Sequence, residues 1–348
     1  MDGDELGNCV SGRIRPEDKE RLKFLFIAKH ALSDGAPDAQ DGDHAVYHCH
    51  VRDTLRQIGL NIDVANSPQD MFTRPNVDFV FSLLNRAGFL NSEMLIPLLC
   101  EMHNLPYLGA TPILRGLADD KDLMKVNART LGVETADWVT IRRWQKLALP
   151  PKFPTSDLVV KPNASSASWG IKHVLDETEL SAAVSHLHDT GHDAIIEPFV
   201  EGVDLELPVI AGPEPQMLPL MRFDHDPKAI RYYEEKRGLT ASNAQLVQER
   251  DPQVIRRVQA MARKLIAMLY PFDYGRFEFR LNQRTGQIVF LEVNLQCNIW
   301  EPRVLGTSAK LAGLPYPDLL ETIVAHSLLR QGLVDKIETR MATQHLHG

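Results

Sequence analysis

The sequence predicts an α/β protein in which a parallel sheet with intervening helices comes first and mixed α+β subdomains follow. Three observations predict it. Up to about residue 109, short aromatic and β-branched runs alternate with helical patterns, the order that a parallel sheet requires. From about residue 120 the strand-like runs come in close pairs around turn residues. The 348 residues, 44% hydrophobic and 24% charged, supply enough chain for two or three modest subdomains.

The elements read as follows. Residues 1–20 form a loose leader and a strand-like run, LKFLFIA, covers Leu22 to Ala28. A Gly/Asp-rich loop leads to a helix from about His44 to Gly59, then to strands at NIDVAN and VDFVFSLL. The helix across SEMLIPLLCEMHN contains Pro97, which should kink it by removing a backbone donor. These elements make an N-terminal parallel α/β unit, residues 21–109. A central unit, 110–197, holds a helix from Lys121 to Leu131, two strands flanking the loop in LVVKPNASSASWGIKHV, and a helix opened by Asp176 and Glu179 at N-cap and N3 spacing. The strand AIIEP closes it. A third unit, 198–331, holds strands at DLELPVIA, GRFEFRLN and IVFLEVN with helices at VIRRVQAMARKLIAML and PDLLETIVAHSLLRQG, and residues 332–348 read as a frayed tail.

Composition narrows the class. A net charge of −8 argues against nucleic acid as the main partner, because affinity for a phosphate backbone rests on clustered Lys and Arg. No stretch approaches the roughly 20 apolar residues of a membrane span, and the polar N-terminus lacks a signal-peptide core. Cys9, Cys49, Cys100 and Cys297 show no C-x-x-C spacing and are too few for a disulfide framework. A reduced, cytoplasmic enzyme without a membrane or nucleic-acid partner is the expectation.

The chemistry concentrates in two late strands. GRFEFRL places Arg276, Glu278 and Arg280 on one face, and FLEVNLQ places Glu292 and Asn294 together. If the RTGQ turn pairs these strands, two carboxylates and an amide oxygen converge, the hard ligands that Mg²⁺ takes alongside substrate phosphates. A solvated face explains most single acidic strands; two acids inside apolar strands beside an arginine favour a metal site. Lys161 ends the strand LVVKP and Lys121 opens a helix, though lone lysines are usually surface residues. The strand end at Glu197 offers backbone groups to a purine edge, with an acid, Asp204, downstream for a ribose.

The order Lys121, Lys161 with its serine-bearing loop, Glu197 to Asp204, Lys236, Arg276 to Glu278, Glu292 to Asn294 resembles the ATP-grasp superfamily, and within it the D-alanine–D-alanine ligase branch, over residues 20–331. The resemblance implies an ATP-grasp fold and a carboxylate–amine ligase working through an acyl phosphate. It implies ATP contacts from Lys121, Lys161, Lys236, Glu197, Val200 and Asp204, and a mobile loop containing Ser168 over the phosphates. Two Mg²⁺ ions, replaceable by Mn²⁺, fall to Glu278, Glu292 and Asn294, and charge stabilisation to Arg276. Substrates are amino-acid-like carboxylates and amines, and a homodimer is left open. A phosphotransferase, a regulatory nucleotide binder without turnover and a D-alanine–D-alanine ligase itself stand as alternatives.

The chain departs from the branch in three places. Its first loop, AKHALSDGAPDAQDGDHAVYHCH, has no matching glutamate, so Asp43 or His44 is the substitute candidate. Ala167 and Arg237 stand where the branch has a serine and a tyrosine linked across the site. The small acceptor turn becomes LQCNIWEPRV, with Trp300, Glu301 and Arg303, which points to a different second substrate and offers Arg303 as its carboxylate partner, with a surface salt bridge near Glu301 as the equal alternative. His44 and His48 have an i, i+4 zinc-binding spacing with no matching pair elsewhere, and packing or exposure explains them better. Cys297 reads as a small buried residue before a catalytic thiol.

Overall fold

The computed structural model describes residues 9–37, 41–84, 92–165, 168–230 and 244–342. Of the stretch 1–20 expected to be a loose leader, residues 1–8 lie outside the described residues, and the rest instead forms β1 (Val10–Arg13) and the start of α1 (Pro16–Arg21). Polarity misled here because the backbone is satisfied by side chains from far along the sequence. The Gly12 N–H donates to the Thr322 hydroxyl and the Ile14 N–H to the Glu321 carboxylate, while Cys9 and Ile14 enter the core.

Strand β2 (Lys23–Ile27) lies between β3 (Asn61–Ala65) and β4 (Phe79–Ser82), parallel to both, with α2 (His44–Gln57) as the crossover between β2 and β3. The next helix, α3 (Leu95–Met102), follows a 3₁₀ turn over Ser92–Met94 and shows no break at Pro97. Pro97 is its third residue, inside the first turn, where backbone N–H groups lack intrahelical partners, so the expected kink does not arise.

Helices α4 (Pro112–Asp119) and α5 (Lys121–Thr130) abut at Asp120, whose carboxylate caps α5 by accepting from the Leu123 N–H. A four-stranded antiparallel sheet follows, in the order β5 (Val139–Ile141), β8 (Ala194–Pro198), β6 (Leu158–Pro162), β7 (Lys172–Val174), backed by α6 (Glu177–Asp189). Asp176 caps α6 through the Glu179 N–H.

The larger sheet runs β12 (Gln245–Gln248), β11 (Met221–Asp224), β9 (Val203–Ile210), β13 (Tyr274–Leu281), β14 (Ile288–Asn294), with the short β10 (Gln216–Met217) also on β9. One face is apolar: Leu205, Leu207, Val209, Phe277, Phe279 and Val293 pack with Val258, Ala262, Leu265 and Leu269 of α7 (Pro252–Leu269). Pro208 sits inside this sheet without breaking the β9–β13 ladder. Its carbonyl accepts from Leu218, so its missing donor lies on the side of the β10–β11 junction, away from β13.

Helix α8 (Val304–Leu311) and α9 (Tyr316–Arg330) close the fold, α9 burying Leu319, Leu320, Ile323, Val324 and Leu328 in one core with Phe24, Phe26, Phe79 and Phe81. The expected frayed tail instead contains β15 (Glu338–Met341), antiparallel to β1 with Val10 opposite Met341 and Arg13 opposite Glu338. All four residues of β15 are exposed, so hydrophobic patterning carried no sign of it.

Candidate active site

Alternation along three adjacent strands writes a polar grid on the face of the large sheet opposite α7. In the middle row Glu206 of β9, Glu278 of β13 and Glu292 of β14 stand directly across from one another. One row away come Pro208, Arg276 and Asn294; on the other side Asp204 faces Arg280. Strict period two would put Phe290 on the same face as Glu292. A register shift between Glu278 and Phe279 inserts Leu291 as a bulge, so Phe290 pairs with Phe279 in the core while Glu292 opposes Glu278. Bulges of this kind re-aim side chains beside functional sites.

Arg276 is held by two carboxylates: its Nε lies 2.9 Å from Glu206 Oε2, and its Nη2 donates to Glu278 Oε1 at 2.6 Å. Burial alone would push the guanidinium pKa down, but the charges of Glu206 and then Glu278 outweigh it and keep the group firmly protonated. Across the cleft, Lys121 Nζ is 3.3 Å from Glu292 and donates to the Ser165 carbonyl at 2.7 Å. Glu292, Asn294 and Lys121 border one cleft, and Lys121, Lys161, Ser168 and Glu292 border a second.

Lys161 and Glu197 are ion-paired at 2.7 Å, and the other Glu197 oxygen lies 3.1 Å from Lys125, a wholly buried lysine that also donates to Thr135. Sequence reasoning passed over Lys125, whose signal was its i+4 spacing from Lys121 on α5. It also passed over Glu206, whose signal was its alternation with Asp204 in VDLELP. Asp204 receives Arg280 Nη1 at 2.7 Å, and Arg280 Nε donates to the Val200 carbonyl, so Val200 and Asp204 share one anchoring cation.

Ser168 lies in the turn before β7 with φ of 59°, and Gly170 takes φ of 71° where a Cβ would stand 3.1 Å from both Leu187 and Pro162. Lys236, Ala167 and Arg237 lie outside the described residues.

The turn LQCNIWEPRV meets α2. The Ile299 N–H donates to the Tyr47 hydroxyl, and Trp300 Nε1 donates to His50 Nδ1 at 3.1 Å. The Arg303 guanidinium lies 5.7 Å from the Trp300 ring centroid and 3.9 Å from Asp43. Arg303 and Asp43 thus come together; the His44 ring packs edge-on against Tyr47 and His48, and His48 Nδ1 accepts from the His30 N–H. Cys297 is buried, and burial pushes its thiol up to about 12, which leaves no thiolate at neutral pH. Among the described residues no three His, Cys, Asp or Glu side chains are placed to hold a metal together. Glu278, Glu292 and the Asn294 amide lie on adjacent rows of the grid, beside the further carboxylates Glu206 and Asp204.

A family profile described as "D-ala D-ala ligase C-terminus" matches residues 128–325. A D-alanine–D-alanine ligase of Lactobacillus delbrueckii subsp. bulgaricus is 23% identical over 266 residues, 73% of each chain. Another from Aquifex aeolicus is 29% identical over 234 residues, 65% of this chain and 75% of that one. Among solved structures, a D-alanine–D-alanine ligase of Bacillus anthracis complexed with ATP superposes with TM-score 0.71 at 21% identity, covering 90% of this chain and 99% of that one. The VanG D-Ala:D-Ser ligase of Enterococcus faecalis superposes with TM-score 0.68 at 15% identity, covering 88% and 99%.

Proposed function

The chain belongs to the family of the D-ala D-ala ligase C-terminus and has the ATP-grasp fold, and on that premise we propose that it is an ATP-dependent carboxylate–amine ligase. Its products are amides or peptides of amino-acid-like substrates, made in the cytoplasm by way of an acyl phosphate. The observation that carries this reading is the row of Glu278 and Glu292, flanked by Arg276 and Asn294 and facing Lys121.

The donor set fits Mg²⁺, or Mn²⁺ in its place, which binds through one or two carboxylates and completes its shell with substrate phosphates and water. Glu278, Glu292 and Asn294 would hold up to two such ions, which supply charge neutralisation for the phosphates. Lys121 and Lys161, which both line the phosphate cleft, orient the transferring group, and the Ser168 turn covers it. Glu197 fixes Lys161 while Lys125 fixes Glu197, so the phosphate-facing lysine arrives pre-positioned. Backbone groups around Val200 face the base and Asp204 the ribose.

The carboxylate substrate attacks the γ-phosphate, ADP leaves, and the acyl phosphate then takes the amine with release of phosphate. Arg276, buried and permanently charged, faces the negative charge that gathers on the carbonyl oxygen in both steps. The Trp300–Arg303 turn supports an acceptor other than D-alanine and hence a specialised biosynthetic role. Arg303 holds the acceptor's carboxylate, while Asp43 and His44 face the amino-acid substrates.

The test is a screen of amino-acid pairs with ATP and Mg²⁺, following ADP, free phosphate and product mass. A ligase gives equimolar ADP and phosphate with a product lighter by one water than its two substrates. A phosphorylated product without free phosphate would replace the reading by a phosphotransferase, and absence of ADP by a non-catalytic binder.

A further inference from the structure

We infer that Glu206 is a positioning residue for the reaction, clamping the Arg276 guanidinium against Glu278 so that its free end meets the reacting carbonyl oxygen. The inference rests on the ligase reading of the site.

Glu206 is awkward for the fold alone. It is 3% exposed in the middle of a sheet and directly across from a second acid, Glu278. Like charges in that position repel, and a buried carboxylate loses hydration worth several kcal/mol. On β11 the same row continues with Met221, packed against Phe223 and Val304, so an apolar side chain suits this face one strand further out. The acids begin at β9, where the row reaches Arg276.

The contacts give the acid its task. Glu278 Oε1 accepts from both Nε and Nη2 of Arg276, at 3.0 and 2.6 Å, and Glu206 Oε2 approaches Nε at 2.9 Å from the neighbouring strand. Two carboxylates on two strands fix both the position and the plane of the guanidinium, and both use its Nε–Nη2 edge. The Nη1 end is the part that these contacts leave to a ligand. With Glu278 alone the guanidinium could pivot about one carboxylate oxygen. Glu278 is also the residue proposed to hold a cation, so a second acid keeps Arg276 in place when Glu278 turns to the metal.

A double-mutant cycle of Glu206→Leu and Arg276→Ala, with Glu206→Gln alongside, tests this on ADP release. Glu206→Leu should lower kcat about 10²-fold, as a misplaced catalytic group does, with the KM for ATP unchanged. Glu206→Gln should recover part of the loss, because its amide oxygen can stand where Glu206 Oε2 stands, 2.9 Å from Nε. In the Arg276→Ala background Glu206→Leu should add nothing. Equal costs in both backgrounds, or a Gln variant as slow as the Leu variant, would overturn the inference. Crystal structures of wild type and Glu206→Leu give an arm independent of turnover: a guanidinium that stays in place in the variant sinks the clamp. If wild type releases no ADP with any substrate pair, the ligase reading fails and the crystallographic arm alone decides whether Glu206 holds Arg276.

Discussion

Glu278 and Glu292 stand directly opposite one another on β13 and β14, although Glu292 is only two residues from Phe290, which faces the core. The bulged Leu291 reconciles the two. It lets one short strand bury phenylalanine against α7 and present a carboxylate to the cleft within three consecutive residues.

Removing charge from that pair should stop turnover without unfolding the protein. Glu292→Gln keeps the volume and the strand but loses the anion that faces Lys121 at 3.3 Å. We expect kcat to fall by on the order of 10²–10³-fold, the range seen when one electrostatic stabiliser is deleted. Circular dichroism should change little, and the urea midpoint should fall less than in Glu197→Gln, since Glu292 is only half-buried and Lys121 keeps the Ser165 carbonyl. Glu292→Gln retaining wild-type turnover removes it from the site.

Arg303 gives a different signature. It lies over Trp300 and 3.9 Å from Asp43. A guanidinium that binds an acceptor's carboxylate contributes to binding in ground and transition states alike. Arg303→Ala should therefore raise the KM of the second substrate at least tenfold, about 1.4 kcal/mol, and leave that of ATP alone. Equal effects on both constants would place Arg303 outside the acceptor pocket.

Much of this arrangement is visible in the sequence, and the misses have physical causes. Strands β2 and β4 announce themselves because both faces are covered and the runs are almost continuously apolar, whereas β3 shows an exposed alternation. Arg276, Glu278, Glu292 and Asn294 stand out as polar residues inside such runs. The Leu291 bulge does not, because period-two reading has no term for an inserted residue. Glu206 and Lys125 were hidden by their burial: each looks like an ordinary surface charge until its partners arrive from other elements. β1 and β15 were missed since their stability comes from each other and from α9, more than 300 residues apart in the case of Gly12 and Thr322.

The N-terminal strand supplies a stability prediction. Ile14 is 3% exposed and lies in the same core as α9, in a segment whose composition reads as a leader. Ile14→Ala should destabilise the protein by about 2–5 kcal/mol, the usual cost of truncating a buried isoleucine. Urea denaturation followed by tryptophan fluorescence measures it. A change below about 0.5 kcal/mol, typical of surface positions, would mean that the segment is not docked in solution.

The Lys161–Glu197–Lys125 chain predicts how stability depends on pH. Burial pushes the Glu197 carboxyl up, but the charges of Lys125 and Lys161 outweigh it and bring the group down to about 2 from 4.5. Its folded pKa is lower than its unfolded one, so its contribution is full above 4.5 and is lost as the pH falls towards about 2. Lys125 runs the other way. Burial lowers it to about 8 from 10.5, despite the pull of Glu197, so the unfolded chain holds more protons between those values and stability rises with pH across them. Glu197→Gln should cost about 3–5 kcal/mol at neutral pH by stranding two buried lysines. It should also flatten the acid limb of stability against pH, and Lys125→Met should remove the alkaline rise. Urea midpoints measured across both windows check this. An acid limb as steep in Glu197→Gln as in wild type would show that other carboxylates set it and that the buried chain contributes nothing to acid sensitivity.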